Sequence, residues 1–342
     1  MPKQLIPFIR GKSLIQIARD RLDGLVDPAR QFICAGLAHR DAILQALDHF
    51  SPDNYLAEPT GRDTLNAVAF GAAVIHQIDP EAVVAVFTAD HIIEPVNRFQ
   101  SVVSAAYELA ESQPETLVTF GITPTHPATG FGYLQLGRPI RGDARIVDQF
   151  KEKPDAATAQ RHFDAGPAAY LWNSGMFVWR AATVLDCIRR YEPANYEAIM
   201  RIARAWRSPD RDDLLHRVYP TLKKISVDYA VMEPASKDPA VQVAALPMPL
   251  TWLDVGSWPA FAKTCDTDSR GNALGPGRHL LLDTQGTLAA SSDEQHLIAA
   301  IGCDNLIIIH TPHATLVCPA NCAEKIKDLH AEVADRFGDE LL

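Results

Sequence analysis

Three things are scarce in this chain of 342 residues. No apolar run approaches the roughly 18 residues that a membrane-crossing helix needs, and the opening MPKQLIPFIRGK has no hydrophobic stretch of the secretory kind. The expectation is a cytoplasmic protein with no membrane as partner. Positive charge is in deficit, with 32 Lys and Arg against 42 Asp and Glu, a formal net charge of -10. A chain of that sign repels polyanions, which excludes nucleic acid as a partner and confines any phosphate site to a local cluster. Cysteine is sparse: the six residues at 34, 187, 265, 303, 318 and 322 have no framework spacing, as expected of reduced thiols.

What is present is core-forming material. Hydrophobic residues make up 47% of the chain, enough for one large domain with a smaller appendage. The chain is organised around VVAVFTADH, Val83 to His91. Its first residues have no polar face, the pattern of a strand buried on both sides of a parallel sheet. Its last residues put Asp90 at the carboxyl end of that strand, where open α/β sheets bind ligands. A carboxylate there either does chemistry or caps the following turn. Before it, Leu65, Val68, Ala69, Ala72 and Ile75 recur at helical spacing after the turn Pro59-Thr60-Gly61-Arg62-Asp63-Thr64. That turn offers a helix amino terminus to an anion or a ribose. After it, Phe99, Val102, Val103, Ala106 and Leu109 predict a second helix, and Thr116 to Ile122 a second long strand. Such alternation is that of an α/β fold with a doubly wound, Rossmann-like, mostly parallel sheet.

Beyond Pro124 the texture changes to glycine-containing hairpin segments, where Gly130 and Gly132 allow backbone to approach a ligand. Tyr170 to Trp179 reads as a strand carrying Asn173 among aromatics, and short β runs at Leu280 to Asp283, Leu297 to Ile301 and Leu306 to Ile309 suit a small β-rich appendage. A final helix bearing Ile326, Leu329, Val333 and Phe337 is expected to pack on it. The predicted division is residues 1–263 for the large domain and 264–342 for the small one.

Six stretches in order, TADH, GITPTHPATGFGYLQLG, FKEKPD, YLWNSGMFVWRA, ISVDYAVME and TWLDVGSW, resemble the bacterial mannose-1-phosphate guanylyltransferases (GDP-mannose pyrophosphorylases), sugar nucleotidyltransferases. The resemblance runs from Pro2 to the end and implies a β-helix-like character for the small domain. It implies transfer of GMP from GTP to mannose 1-phosphate, giving GDP-mannose and pyrophosphate, with Mg²⁺ and without a covalent intermediate. Such chemistry asks a protein mainly to position two anions and neutralise their charge. By the same resemblance Asp90 and Asp254 are the Mg²⁺ ligands, Lys3 contacts the nucleotide phosphates, and Lys153 holds the sugar phosphate. Glu152 and Asn173 are implied as sugar-hydroxyl ligands, with Gly132 offering backbone. Glu58 falls at the base-contacting position, where a carboxylate can take the adjacent N–H donors of guanine, and Asp63 and Thr64 fall at the ribose. A homodimer is among the assemblies the family allows.

Two departures qualify the match. The family's GRNTAPA is replaced by Gly61-Arg62-Asp63-Thr64-Leu65-Asn66-Ala67, and its GGxGTRLWP phosphate loop with the preceding strand is not found before Pro2. The corresponding expectation is that a chain of these residues alone is poorly stable and nearly inactive. Two other readings stay open: a sugar-phosphate-binding or regulatory homologue without catalysis, and a nucleotidyltransferase for another hexose 1-phosphate. His310, His313, Cys318 and Cys322 have spacing within the range of a zinc site, but their apolar strand neighbours favour buried thiols and turn histidines.

Overall fold

The computed structural model describes residues 3–5 and 11–338, with the backbone alone for Lys3. The chain divides into two compact units, one made of Arg21–Thr88 and Ile93–Thr251, the other of Met1–Asp20, Ala89–Ile92 and Trp252–Leu342. Among the described residues no helix is long and apolar enough to cross a membrane. The first ten strands are β1 (Ile33–Gly36), β2 (Tyr55–Glu58), β3 (Val83–Val86), β4 (His91–Glu94), β5 (Thr116–Ile122), β6 (Tyr133–Pro139), β7 (Arg145–Lys151), β8 (Tyr170–Arg180), β9 (Gln242–Pro247) and β10 (Thr251–Asp254).

In the larger unit six strands form one sheet in the order β3-β8-β5-β9-β7-β6. The strands β3, β5 and β9 share a direction, and β8 enters antiparallel between β3 and β5. The sheet is therefore mixed: β6 shares that direction, β7 and β8 run against it, and β5–β9 is its parallel pairing among the described residues. Every residue of β5 is buried, as the alternation-free sequence TLVTFGI requires of a central strand covered on both faces. On one face Leu117, Phe177 and Trp179 join a core built from the helix Asp63–Ile78 and the helices Ala181–Tyr191 and Pro193–Arg204. The pleat turns Val118 and Val178 the other way, and the helix Val96–Ser112 lies against β5 and β8 with Phe99, Val103 and Ala106 inward.

The run Val83 to Val86 differs from expectation: all four residues are half-buried. Its apolar character is that of an interior strand, but β3 stands last in the sheet order and pairs only with β8 among the described residues. The strands β1 and β2 form a separate parallel pair, register Ile33 to Tyr55.

The other unit holds seven short strands, β11 (Asp266–Thr267), β12 (Ala273–Leu274), β13 (Arg278–Leu282), β14 (Leu288–Ser291), β15 (Leu297–Ile301), β16 (Leu306–His310) and β17 (Thr315–Pro319). Strands β12, β14 and β16 stack in parallel, as do β13 and β15, so successive turns of chain lie on one another in coils. Ala273, Leu288, Ala290, Ile307 and Ile309 fill the space between them with Leu14, Val255 and Phe261. The buried corner polars are satisfied internally: Asn272 Nδ2 donates to the Thr284 carbonyl at 2.8 Å, and the Thr287 N–H donates to Asn272 Oδ1 at 3.0 Å.

Ser13 and Gln16 cap the helix Leu14–Asp20 reciprocally, with the Ser13 N–H donating to Gln16 Oε1 at 2.8 Å, and Leu14 and Ile15 are its buried residues. The terminal helix Ile326–Phe337 forms where its apolar spacing predicts, yet none of its residues is buried, and Phe337 is 67% exposed. Periodicity fixes that a stripe exists, not what covers it.

Candidate active site

Asp90 and Asp254 lie far apart in the chain, and backbone pairing joins their segments. Strand β10 pairs with β4, and the Val255 N–H donates to the Asp90 carbonyl at 2.9 Å. The side chains follow: one ligand atom each of Asp90, His91 and Asp254 falls within 4.8 Å of the others. Among the described residues this is the group of three or more His, Cys, Asp and Glu side chains that could hold a metal ion. Of the three, His91 is spoken for. Trp252 Nε1, which can only donate, sits 3.1 Å from His91 Nδ1, so Nδ1 is the acceptor and a neutral ring carries its proton on Nε2. Nε2 stands 3.9 Å from Asp90 Oδ1, and with its proton there the neutral ring has no lone pair left for an ion. The donor set left for a cation is two carboxylates, which fits a hard, oxygen-seeking divalent ion rather than a soft one.

A second cluster forms in the larger unit, around the antiparallel start of β8. The β5–β8 register shifts between Thr119 and Gly121, and Gly175 adopts φ 69 within the bulge. Asn173, at the edge of that irregularity, is buried, and its amide is locked. Thr119 Oγ1 donates to Asn173 Oδ1 at 2.8 Å, and Asn173 Nδ2 donates to Asp228 Oδ1 at 2.9 Å. Gly132 accepts the Asn173 N–H at 2.8 Å. A Cβ at Gly132 would lie 2.6 Å from Glu152 Oε2 and 3.4 Å from Asn173 Cβ, so a larger residue there would displace the Glu152 carboxylate. Glu152 is buried, and Lys153 Nζ meets its Oε1 at 3.1 Å. Desolvation lowers the Lys153 ammonium, but the bond and charge of Glu152, with Tyr229 and Asp228, outweigh it and hold the group above its ordinary value. Gly132, Glu152, Lys153 and Asn173 thus come together, as the motifs containing them expect.

The third set surrounds Glu58 at the end of β2. Tyr219 Oη donates to Glu58 Oε1 at 2.6 Å, and burial raises the Glu58 carboxyl while that bond opposes the rise. The Cys34 thiol beside it is pushed well up by burial and then by the Glu58 charge. Asp63 and Thr64 are both exposed at the start of the helix Asp63–Ile78. Asp63 Oδ1 accepts the Thr64 N–H at 2.8 Å and Thr64 Oγ1 accepts the Val227 N–H at 3.0 Å, so both groups already serve the helix terminus. The side chain of Lys3 lies outside the described residues.

The nucleotidyl transferase family profile ("Nucleotidyl transferase") matches residues 1–270, and the "MannoseP isomerase/GMP-like beta-helix domain" matches 277–332. The chain belongs to the nucleotidyl transferase family. Among its relatives is the xanthan biosynthesis protein XanB of Xanthomonas campestris pv. campestris, 33% identical over 338 residues, spanning 97% of this chain and 68% of that protein. A mannose-1-phosphate guanylyltransferase of Klebsiella pneumoniae is 34% identical over 334 residues, spanning 95% and 68%. Among solved structures, a mannose-1-phosphate geranyltransferase from Thermus thermophilus superposes with a TM-score of 0.82 at 29% identity, covering 97% of this chain and 92% of that one.

Within this nucleotidyltransferase three residues escaped sequence reasoning. Tyr219 and Asp228 act on side chains distant in sequence, and only the ISVDYAVME match hinted at the second. Arg21 is buried, its guanidinium 2.5 Å from the Thr88 carbonyl and 5.4 Å over the Phe99 ring, holding the exit of β3. An arginine after a polar helix end gives no local sign of burial.

Proposed function

We propose that this protein transfers GMP from GTP to mannose 1-phosphate, releasing pyrophosphate and GDP-mannose. The observation that carries the reading is the meeting of Asp90 and Asp254 in a nucleotidyl transferase chain. Relatives named mannose-1-phosphate guanylyltransferase support the substrate pair. An oxygen of the sugar phosphate attacks the α-phosphorus of GTP in line, a new P–O bond forms, and the bond to the β-phosphate breaks with its electron pair leaving on pyrophosphate. No protein nucleophile is required, so the residues act by positioning and charge.

Asp90 and Asp254 would hold Mg²⁺, which supplies charge neutralisation between the two phosphates. Trp252 and His91 keep the Asp90 carboxylate oriented. Lys153 takes the sugar phosphate, Glu152 accepts from sugar hydroxyls, Asn173 keeps one N–H and one lone pair beyond its internal bonds for the same purpose, and Gly132 presents backbone. Glu58 reads the guanine edge, Asp63 and Thr64 approach the ribose, and Lys3 the triphosphate.

The test is product formation from GTP and mannose 1-phosphate, with ATP, UTP and glucose 1-phosphate as competitors in parallel reactions. GDP-mannose and pyrophosphate in equal amounts are expected. Preference for another nucleotide or hexose 1-phosphate would replace the substrate assignment, and saturable mannose 1-phosphate binding without turnover would replace the enzyme with a binding protein.

A further inference from the structure

Residues 219–228 run between two of the side-chain sets described above, and a buried amide pair to which the proposed contacts assign no role holds their middle. This stretch is irregular apart from the short turn Tyr219–Thr221, and it ends on the π-helical turn Asp228–Met232. Its backbone polar groups therefore have to find partners outside it. They find them in residues 62–66. The Arg62 guanidinium donates to the Pro220 carbonyl, the Leu65 N–H donates to the Ile225 carbonyl at 3.2 Å, and the Val227 N–H donates to Thr64 Oγ1 at 3.0 Å. The two ends carry side chains into the sets themselves. Tyr219 Oη donates to Glu58 Oε1 at 2.6 Å, and Asp228 Oδ1 accepts from Asn173 Nδ2 at 2.9 Å. One stretch thus runs from the carboxylate proposed to read guanine to the amide proposed to meet the sugar.

At its middle the stretch is held by Asn66, on the helix Asp63–Ile78, and Asn195, on the helix Pro193–Arg204. Both are buried, at 0% and 2% exposure. Asn66 Nδ2 donates to the carbonyls of Arg62 at 2.6 Å and Lys223 at 2.9 Å, and Asn66 Oδ1 accepts from Asn195 Nδ2 at 2.7 Å. Asn195 Nδ2 also donates to the Lys223 carbonyl at 3.1 Å, and Asn195 Oδ1 accepts the Lys223 N–H at 3.3 Å. Every amide donor of the pair is used, and so are both polar groups of the Lys223 backbone. Two amides between helices bury less apolar surface than two leucines would, so what this pair adds is a defined geometry. Asn66 stands where the motif GRNTAPA has proline, which has no side-chain amide, so the pair is not part of that motif. We infer that Asn66 and Asn195 are positioning residues: by fixing Lys223 they hold residues 58–66 and 219–228 as one piece, which sets Glu58 through Tyr219 and Asn173 through Asp228. The inference rests on the proposed function and goes past it, to residues that touch neither substrate and serve both.

The experiment is steady-state GDP-mannose formation, with KM measured for each substrate on the protein, Asn195→Ala, Tyr219→Phe and the double variant, each checked for folding by thermal melting. Removing the Asn195 amide frees Lys223, and Asn195→Ala is expected to raise the KM for GTP and the KM for mannose 1-phosphate together, each about 3- to 30-fold. A residue that only stabilises the fold lowers the melting temperature and moves neither KM in the folded variant. The double variant tests the route. With residues 219–228 released, Tyr219 is no longer held against Glu58, so adding Tyr219→Phe to Asn195→Ala is expected to raise the KM for GTP by less than about 2-fold. Should Asn195→Ala fail to fold, Asn195→Ser, which keeps a hydroxyl for the Lys223 N–H, is judged by the same pair of KM values. Unchanged KM values, a rise in one alone, or a full Tyr219→Phe effect in the double variant overturns the positioning role and leaves the proposed function standing. Failure of the unaltered protein to form GDP-mannose overturns the proposed function and this inference together.

Discussion

Asp228 illustrates how a single buried carboxylate couples stability to pH. An aspartate in an unfolded chain titrates near 3.9, and in the fold it is pushed up to about 7, first by burial and then by Glu152. Between those values the native chain holds more protons than the unfolded one, so stability falls as pH rises. The contribution is fully present below about pH 4 and is lost as pH passes 7. Asp228→Asn, which no longer ionises, is predicted to melt above the wild type at pH 8, by on the order of 1–3 kcal/mol after allowing for its solvent contact. Below about pH 4 the gain should vanish. Paired thermal melts check this, and a variant less stable than wild type at pH 8 would contradict it. Tyr219 is a second case, since its hydroxyl holds Oε1 of Glu58 at 2.6 Å. Tyr219→Phe is predicted to raise the KM for GTP about 3- to 10-fold by freeing that carboxylate, with the KM for mannose 1-phosphate unmoved. Equal changes in both KM values would show the bond to be structural. Beyond the ISVDYAVME match that contains Asp228, the sequence gives no sign of either partner, because Tyr219 and Asp228 act across the fold on residues of other elements.

Among the elements, local patterning was most legible where burial and periodicity agree. The strand Tyr170–Arg180, the coil strands Leu297–Ile301 and Leu306–His310, and the helices Asp63–Ile78 and Val96–Ser112 stand where apolar spacing put them. It failed where tertiary position decides: Val83–Val86 has an interior composition at the end of the sheet order, and the π-turn Asp228–Met232 has no periodic signature. The β8 bulge that aims Asn173 is likewise invisible locally, but it depends on one small residue. A Cβ at Gly121 would lie 2.4 Å from Leu171 Cδ1 and 2.9 Å from its Cβ, and Gly121 is the register partner of Asn173. Gly121→Ala is predicted to destabilise the fold by about 1–3 kcal/mol and to raise the KM for mannose 1-phosphate more than that for GTP. Denaturant titration with steady-state kinetics reads both effects; an unperturbed sugar KM would show that the bulge does not position Asn173.

For the whole molecule, the order of motifs placed the chain in its family, while the pairing of segments distant in sequence was not legible. Residues 89–92 group with the coiled strands rather than with the sheet strands on either side of them in sequence. Pairing of β4 with β10 explains this: contacts recruit TADH to WLDVGSW, and composition carries no trace of such recruitment. The same pairing brings together the carboxylates on which the proposed chemistry depends. The direct measurement is GDP-mannose formation from GTP and mannose 1-phosphate over a Mg²⁺ titration, for the protein and for Asp254→Asn, with folding checked by melting. The account predicts a rate that requires Mg²⁺ and falls at least ~100-fold in Asp254→Asn, about 3 kcal/mol of transition-state stabilisation, with the fold intact. A folded Asp254→Asn protein that keeps the wild-type rate and Mg²⁺ dependence would contradict it.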